Sequence, residues 1–222
     1  MSNIPISNKI PELDLAIKAA QEAGNKILRI YEKGFKTFTK TDNSPVTDAD
    51  LQSNKIIKEI LSVTKHSILS EEDVDDKNRL SNDMIWIIDP LDGTSDFIDK
   101  TGEFTVMIAL VQNQKPILGV IAWPTEKTLF VAQKNAGAFR YSDNKWEKIS
   151  VTKISELPKC RTIGSRHHLS DKEKDFIEKI GIKDFTSIGS SLKVGKISSG
   201  QAEVYITTTN KMKEWDTAAS HC

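Results

Sequence analysis

The chain has 222 residues, of which 31 are Lys or Arg and 31 are Asp or Glu, so its formal net charge is zero. This length accommodates one large domain or two small ones. The balanced charge gives no support for a general binder of nucleic-acid polymers or membrane surfaces, while small anionic ligands remain compatible with it. The two cysteines, Cys160 and Cys222, lie in no spacing typical of a zinc site or a disulfide framework. We therefore expect a protein of the reducing cytoplasm.

The N-terminal residues contain no apolar core of signal-peptide length. No later segment approaches the roughly 18 consecutive apolar residues that a membrane span requires. We therefore expect a soluble protein without a membrane partner.

Apolar residues at three- and four-residue spacing predict two amphipathic helices near the N-terminus. The first covers residues 12–33 and ends at Gly34. The second opens at Thr47, because Thr47 and Asp50 have the spacing of a capping box. Between them, residues 36–46 are polar and rich in turn formers.

Short apolar runs bounded by turn residues predict strands through the middle of the chain. The predicted strands cover residues 68–69, 84–88, 104–111, 117–123, 129–133 and 138–141. The close spacing of the last four favours antiparallel pairing. Helices return at residues 171–180 and 192–199. This order predicts an N-terminal α+β half with an antiparallel sheet, residues 1–150, and a C-terminal α/β half, residues 151–222.

The most informative segment follows the predicted strand at residues 84–88. It reads Asp89-Pro90-Leu91-Asp92-Gly93-Thr94 and combines two carboxylates, two turn formers and a hydroxyl group. Two carboxylates in one turn can bind the same hard cation, and hydrolysis of a phosphate ester needs such cations to neutralise the phosphate oxygens. The segment therefore predicts phosphoryl transfer to water. Asp-Pro and Asp-Gly are also ordinary turn pairs, so a purely structural interpretation remains open at this point.

Three more acidic groups occur outside this segment. They are Asp48 with Asp50, Glu71 with Glu72 and Asp73, and Asp216. Each has a structural interpretation: the first pair caps a helix, the second group forms a solvated loop, and Asp216 caps a helix beginning near Thr217. Carboxylates without a His/Cys cluster suit magnesium better than zinc.

Three motifs, in order, make the chain resemble the lithium-sensitive, magnesium-dependent phosphomonoesterase superfamily of inositol monophosphatase. The motifs are Glu71-Glu72, the segment from Asp89 to Thr94, and Trp215-Asp216. The resemblance implies the layered αβαβα sugar-phosphatase fold of that superfamily. It also implies that the active site lies in the cleft between the two halves.

The resemblance further implies a role for each motif residue. Two or three Mg²⁺ ions would be bound by the side chains of Glu71, Asp89, Asp92 and Asp216 and by the backbone carbonyl of Leu91. Thr94 and Asp50 would activate the attacking water. Gly93 and Thr94 would bind the substrate phosphate at the start of a helix near Ser95.

Further segments resemble the CysQ-type bisphosphate nucleotidases, which remove the 3'-phosphate from adenosine 3',5'-bisphosphate. The segments are residues 44–50, 165–168, 189–193 and 214–219. The resemblance implies substrate contacts from His168, Gly189, Ser190, Ser191 and Lys193. Lys193 suits a phosphate and His168 suits a phosphate or the nucleoside, although each could instead be an ordinary surface residue and Gly189 a plain turn.

Two departures from the CysQ-type pattern bear on the substrate and on the C-terminal half. Many such sequences carry an Arg shortly after the Tyr of a late strand, whereas Tyr205 is followed by Ile206 and three threonines. Lys211 or Lys213 is then expected to bind the second phosphate, or the substrate differs. Family members also continue for several tens of residues past the Trp-Asp helix. Because the sequence ends at Cys222, we expect the C-terminal half to be incomplete relative to the family.

The main prediction is a Mg²⁺-dependent 3'(2'),5'-bisphosphate nucleotidase that acts, as a monomer or homodimer, on a small phosphorylated molecule. An inositol monophosphatase, or another inositol or sugar phosphate phosphatase of the same fold, is the first alternative. A non-catalytic protein that binds phosphorylated ligands is the second. The presence of Thr94, Asp50 and the complete set of metal ligands favours an enzyme.

Overall fold

The structure is a computed structural model that describes residues 3–210 and 212–222. The α-helices of the described residues are α1 (Pro11–Lys33), α2 (Asp48–Leu61), α3 (Thr94–Ile98), α4 (Asp171–Lys179), α5 (Leu192–Ser198) and α6 (Glu214–Thr217). The strands are β1 (Thr37–Thr39), β2 (Pro45–Thr47), β3 (Ser67–Ser70), β4 (Met84–Asp92), β5 (Thr105–Gln112), β6 (Lys115–Trp123), β7 (Thr128–Gln133), β8 (Gly137–Ser142), β9 (Lys145–Ile149), β10 (Arg161–Ser165), β11 (Asp184–Ile188) and β12 (Val204–Tyr205).

The two N-terminal helices begin and end close to the predicted residues. Helix α1 starts at Pro11, whose fixed φ suits the first helical position, and ends before Gly34, which has a φ of 100°. Helix α2 is capped by Thr47, whose hydroxyl accepts a hydrogen bond from the amide of Ala49 at 3.1 Å. In return, the amide of Thr47 donates to Asp50 Oδ2 at 2.7 Å. The predicted capping box is confirmed.

A seven-stranded sheet forms the centre of the molecule, with the order β3-β4-β5-β6-β7-β8-β9. Strands β3 and β4 are parallel, and the following neighbours are antiparallel. The antiparallel pairing predicted for the strands from β5 to β8 is confirmed. Strand β9 and the β1–β2 hairpin were not predicted. Strand β9 lies at the sheet edge and β1 is exposed along its whole length, so neither carries the apolar alternation of a half-buried strand.

Both faces of the seven-stranded sheet are covered, which explains why its central strands are continuous apolar runs. In β4, Trp86 and Ile88 face the core formed with α1 and α2. Ile85 and Ile87 face the opposite side, where α5, α6 and the 3-10 turn Ala219–His221 contribute apolar side chains.

A small parallel sheet of order β11-β10-β12 forms the next layer. On one face, Ile163 of β10 packs with Leu192 of α5. On the other face, Val204 of β12 packs with Ile177 of α4. The layers therefore follow the order αβαβα, and the predicted fold class is confirmed.

The two halves share packing at the C-terminal end of the chain. The large sheet ends at Ile149 and the small sheet begins at Arg161, but Ala218 and Ala219 pack on the large sheet. The boundary near Ser150 therefore stays a prediction. Helix α6 begins at Glu214, so the expected start near Thr217 was wrong, and Asp216 lies inside its first turn. Among the described residues, no helix is both long and apolar enough to cross a membrane.

Gly119 in β6 allows the C-terminal turn to approach the sheet. A Cβ atom built at Gly119 would lie 2.2 Å from the carbonyl oxygen of Ala219, which is far inside van der Waals contact. We expect G119A to lower the free energy of unfolding by about 1–3 kcal/mol, because the turn must move off the sheet. Urea denaturation measures this change, and a midpoint equal to that of the original chain would contradict the described packing.

Candidate active site

Three carboxylates converge where β4 meets α6. Asp89 and Asp92 lie at the end of β4, where the pairing register with β5 shifts, and Asp216 comes from the first turn of α6. One oxygen from each carboxylate lies within 4.8 Å of the others. Asp89 is only 1% exposed. Strand β4, which runs through the centre of the sheet, therefore positions Asp89 and Asp92, and helix α6 contributes Asp216.

The environment of this cluster disfavours three simultaneous negative charges. Burial, followed by repulsion from Glu71, Asp92 and Asp216, raises the pKa of Asp89 well above its usual value. Burial raises the pKa of Asp216 to about 6, even though the carboxylate accepts a hydrogen bond from the amide of Lys213. A divalent cation would relieve both effects. Because every donor is a hard oxygen atom, the cluster fits Mg²⁺.

Glu71 lies at the end of β3 and is contacted by a lysine that the sequence analysis did not single out. The Nζ atom of Lys40, in the β1–β2 hairpin, lies 2.9 Å from Glu71 Oε1 and 2.7 Å from Glu72 Oε1. Burial raises the pKa of Glu72 to about 7. Lys40 therefore supplies positive charge to the acidic loop. No local motif marks it, because the contact spans more than thirty residues and depends on the hairpin.

The predicted hydroxyl–carboxylate pair is in hydrogen-bond contact. Thr94 Oγ1 lies 3.0 Å from Asp50 Oδ1 and 3.4 Å from the carbonyl oxygen of Leu91. The other oxygen of Asp50 accepts hydrogen bonds from the amide and hydroxyl of Thr47. The hydroxyl of Thr94 donates to the nearer acceptor, Asp50, so its oxygen lone pairs can accept a hydrogen bond from a ligand.

Gly93 makes the turn between β4 and α3 possible. Its φ is 90°, and a Cβ atom there would lie 3.0 Å from the Cβ of Ser190 and 3.1 Å from the carbonyl oxygen of Glu103. A side chain would therefore be strained and crowded at once. Helix α3 starts at Thr94, one residue before the expected position.

The acids open onto a cleft of 280 Å³ that both halves of the chain line. The predicted substrate-contact residues at its wall are Gly93, Thr94, His168, Ser190, Ser191 and Lys193. The structure adds Ser44, Pro45, Asp96, Ser165, His167 and Tyr205 to this wall. Ser44, Pro45, Ser165 and His167 belong to segments that the resemblance already selected. Tyr205 matches the tyrosine of the late strand, whereas Asp96 carried no signal of its own.

Ser191 connects the C-terminal half to one of the predicted metal ligands. Its amide donates to Asp92 Oδ2, and its hydroxyl lies 2.6 Å from the hydroxyl of Thr105. Thr105 in turn donates to Asp92 Oδ2 at 3.2 Å. These contacts fix one oxygen of Asp92 and leave the other for a cation.

Gly189 does not line the cleft. A Cβ atom at this residue would lie 2.4 Å from Asp96 Oδ2, and its amide donates to Glu103 Oε2 at 2.6 Å. The described geometry gives Gly189 a packing role against Asp96, and its contact with the substrate stays a prediction.

Lys193 is 8% exposed, and its ammonium group donates to the carbonyl oxygen of Ser190 and lies 5.4 Å from the ring centroid of Tyr205. Burial lowers the pKa of Lys193. Of the two other lysines proposed for a second phosphate, Lys213 does not line the cleft. Lys211 lies outside the described residues.

Residues 10–222 match the model of the inositol monophosphatase family. This chain belongs to that family. It is 36% identical over 218 residues to the 3'(2'),5'-bisphosphate nucleotidase CysQ of Escherichia coli K12, an alignment that covers 94% of this chain and 85% of the relative. The CysQ of Haemophilus influenzae is 30% identical over 213 residues, with 94% of this chain and 79% of the relative covered.

Solved structures of the family share this fold. The crystal structure of CysQ from Bacteroides thetaiotaomicron superposes with a TM-score of 0.81 at 38% identity, covering 95% of this chain and 84% of that one. The inositol monophosphatase of Thermotoga maritima gives 0.82 at 26% identity, covering 95% and 81%. The predicted family and a phosphatase activity are confirmed, whereas the individual site residues, the oligomeric state and the cytoplasmic location stay predictions.

The repulsion within the acid cluster leads to a prediction about stability. We expect D89N to be at least as stable as the original chain without metal, because it removes a buried charge that three neighbours repel. Mg²⁺ should stabilise the original chain by about 2.7 kcal/mol at one hundred times its dissociation constant, and should stabilise D89N less at the same concentration. Thermal unfolding with and without Mg²⁺ measures both effects.

D143N is the matched control for that comparison. Asp143 is exposed in the β8–β9 turn, where its φ is 51°, and Asn tolerates this conformation as well as Asp does. D143N should keep the full stabilisation by Mg²⁺. An equal response of D89N to Mg²⁺ would show that Asp89 is not a ligand.

Proposed function

We propose that this protein is a Mg²⁺-dependent 3'(2'),5'-bisphosphate nucleotidase that hydrolyses adenosine 3',5'-bisphosphate to AMP and phosphate. The observation that carries this proposal is the arrangement of Asp89, Asp92 and Asp216 within 4.8 Å, next to the Thr94–Asp50 pair and at the base of a cleft. The identity to CysQ enzymes supports the choice of substrate.

Two or three Mg²⁺ ions would be held by Glu71, Asp89, Asp92 and Asp216 together with the carbonyl oxygen of Leu91. When bound, they would neutralise the phosphate oxygens and lower the pKa of the attacking water. The protein's own contribution is to hold these oxygens at fixed positions. Asp89 is fixed by burial in β4 and Asp92 by hydrogen bonds from Ser191 and Thr105.

Thr94 and Asp50 would accept the proton of the attacking water. The hydroxyl of Thr94 donates to Asp50 Oδ1, so its oxygen can accept a hydrogen bond from the water and orient it towards the phosphorus atom. Burial raises the pKa of Asp50, while the hydrogen bonds from Thr47 oppose this shift. A carboxylate with a raised pKa is a better proton acceptor than one in water.

The rest of the substrate would occupy the cleft between the two halves. The ammonium group of Lys193 donates to the carbonyl oxygen of Ser190 and lines the same cleft as Asp92, where it would meet a phosphate oxygen. His168 and Tyr205 would border the nucleoside. With a single-phosphate substrate, such as inositol 1-phosphate, part of this cleft would remain filled by water.

The test is phosphate release with Mg²⁺ from adenosine 3',5'-bisphosphate, inositol 1-phosphate and fructose 1,6-bisphosphate, each with and without lithium. Preference for the nucleotide, inhibited by lithium, is the expected result. Preference for inositol 1-phosphate would favour an inositol phosphate phosphatase of the same fold. Binding of the nucleotide without release of phosphate from any substrate would indicate a non-catalytic protein.

Thr94 provides a direct test of water activation. We expect T94A to lower kcat by about 100-fold or more, because no hydroxyl remains to orient the water and pass its proton to Asp50. T94S keeps the hydroxyl and should retain most of the activity. Steady-state kinetics at saturating Mg²⁺ separate the two variants. Equal activity of T94A and T94S would exclude the hydroxyl from catalysis.

The position of Asp216 depends on an ion pair at the start of α6. The guanidinium group of Arg79, 6% exposed, lies 2.9 Å from Glu214 Oε2 and 2.6 Å from Asp75 Oδ1. We expect E214Q to raise the Mg²⁺ concentration for half-maximal activity about two- to fivefold, because the first turn of α6 loses its charged anchor.

The control for E214Q is D75N, which weakens the same arginine's other ion pair but leaves its contact with α6. D75N should change the Mg²⁺ requirement less than E214Q does. Substrate KM at saturating Mg²⁺ should stay unchanged in both variants. A larger effect of D75N would show that the loop, rather than the helix, determines metal binding.

A further inference from the structure

The carboxylate of Glu103 contacts two segments of the C-terminal half. Glu103 lies in the loop between α3 and β5. Its Oε2 atom accepts hydrogen bonds from Arg166 Nη2 at 2.5 Å, from Arg166 Nε at 3.2 Å and from the amide of Gly189 at 2.6 Å. Arg166 directly follows β10 and Gly189 directly follows β11, the strand that pairs with β10. Glu103 therefore connects the N-terminal half to the ends of two neighbouring strands of the small sheet.

The loop that carries Glu103 is fixed by contacts of its backbone. The carbonyl oxygen of Gly102 accepts a hydrogen bond from Trp123 Nε1 at 2.9 Å. The amide of Glu103 donates to the hydroxyl of Thr101 at 3.2 Å. The next residue, Phe104, is fully buried. Because the backbone is held on both sides of Glu103, its carboxylate has a defined position towards the C-terminal half.

Arg166 is held by Glu103 and does not line the cleft, whereas Ser165 and His167 on either side of it do. Its Nε atom also lies 3.2 Å from Asp96 Oδ1. The hydrogen bonds to Glu103, more than the charge of Asp96, raise the pKa of Arg166. The ion pair with Glu103 thus determines where the turn after β10 lies, and with it the residues that would border the substrate.

The hydrogen bond from the amide of Gly189 acts on the second segment. Ser190 follows with a φ of 50°, and the amide of Ser191 then donates to Asp92 Oδ2. Both serines line the cleft. The segment that begins at Gly189 is therefore attached to the N-terminal half at two carboxylates, those of Glu103 and Asp92. Together these contacts determine how far the segment reaches into the cleft.

The two halves are in close contact at this place. A Cβ atom at Gly93 would lie 3.0 Å from the Cβ of Ser190 and 3.1 Å from the carbonyl oxygen of Glu103. A displacement of the segment is therefore not absorbed by empty space. The side chains of Glu103 and Arg166 are 21% and 36% exposed, so water weakens their ion pair without replacing it.

We propose that Glu103 is a positioning residue, which holds segments 165–168 and 189–193 at the distance from the acid cluster that a nucleotide requires. Glu103 itself does not line the cleft. A nucleotide would contact the acid cluster and both segments at once, whereas inorganic phosphate would bind at the acid cluster, whose members are held by β4 and α6. Displacing the segments should weaken binding of the nucleotide much more than binding of phosphate. This inference rests on the proposed nucleotidase function.

The experiment measures kcat and KM for adenosine 3',5'-bisphosphate and the inhibition constant of inorganic phosphate, all at saturating Mg²⁺. We expect E103A to raise the KM about tenfold, because one charged and one backbone donor lose their acceptor. The kcat and the inhibition constant of phosphate should each change less than about threefold. E103Q keeps an oxygen acceptor without the charge, so its KM should lie between those of E103A and the original chain.

Arg166 provides a second test. R166Q removes the ion pair but leaves the hydrogen bond from Gly189 to Glu103, so we expect it to raise the KM about threefold. In the double variant E103Q/R166Q the two increases should not multiply, because each single change already breaks the same ion pair. The matched control is E156Q, since Glu156 forms an exposed ion pair with Lys159 in the same half, and all constants should stay unchanged.

The outcomes distinguish this inference from the proposed function. No release of phosphate from the nucleotide by the original chain would refute the nucleotidase function, and the inference with it. An active original chain whose KM is kept by E103Q and R166Q, or variants that change the KM and the inhibition constant of phosphate equally, would refute only the role of Glu103. E103Q and R166Q decide this point even if E103A does not fold, because both keep the size of the side chain. A rise in KM alone, larger in E103A than in E103Q, would support the inference.

Discussion

The site depends on the electrostatic repulsion between Asp89, Asp92 and Asp216, whose carboxylates the fold holds close together. Strand β4 carries Trp86 and Ile88 into the main core and continues without interruption to Asp89. The same strand therefore contributes to the stability of the sheet and carries a carboxylate whose pKa is raised by burial and by its neighbours. Helix α6 adds Asp216 to this cluster. A cation site is the arrangement that makes such crowding favourable, because each divalent ion offsets two of these negative charges.

The remaining layers place other groups around these acids. The hairpin β1–β2 brings the ammonium group of Lys40 to Glu71, and α2 brings Asp50 to Thr94. From the opposite side, Ser191 at the start of α5 donates to Asp92. The three contacts come from parts of the chain that are far apart in sequence. The site therefore depends on the packing of all layers and not on one loop alone.

The sequence predicted the helices, the antiparallel meander and the acids of the site, because each has a local pattern. Capping residues at Thr47 and Asp50, alternating or continuous apolar runs, and the segment after β4 can all be read within a short window. Lys40, Asp96 and the edge strand β9 were missed, since their roles depend on partners distant in sequence or on exposure at a sheet edge. The motif around Gly189 led us to expect a contact with the substrate. The close contact with Asp96, which is visible only in three dimensions, explains why a glycine is required there.

One carboxylate serves the fold and the proposed chemistry at the same time. Asp50 Oδ2 closes the first turn of α2 through Thr47, while Oδ1 accepts the hydrogen bond from Thr94. Any replacement of Asp50 thus alters the start of a helix that packs on the sheet as well as the orientation of the hydroxyl group. Inactivity of such a variant could not be assigned to chemistry until its folding had been measured. The shared use also limits which residues can occupy this position, because glutamate, although common at this position of a capping box, would shift the oxygen that accepts from Thr94 by one methylene group.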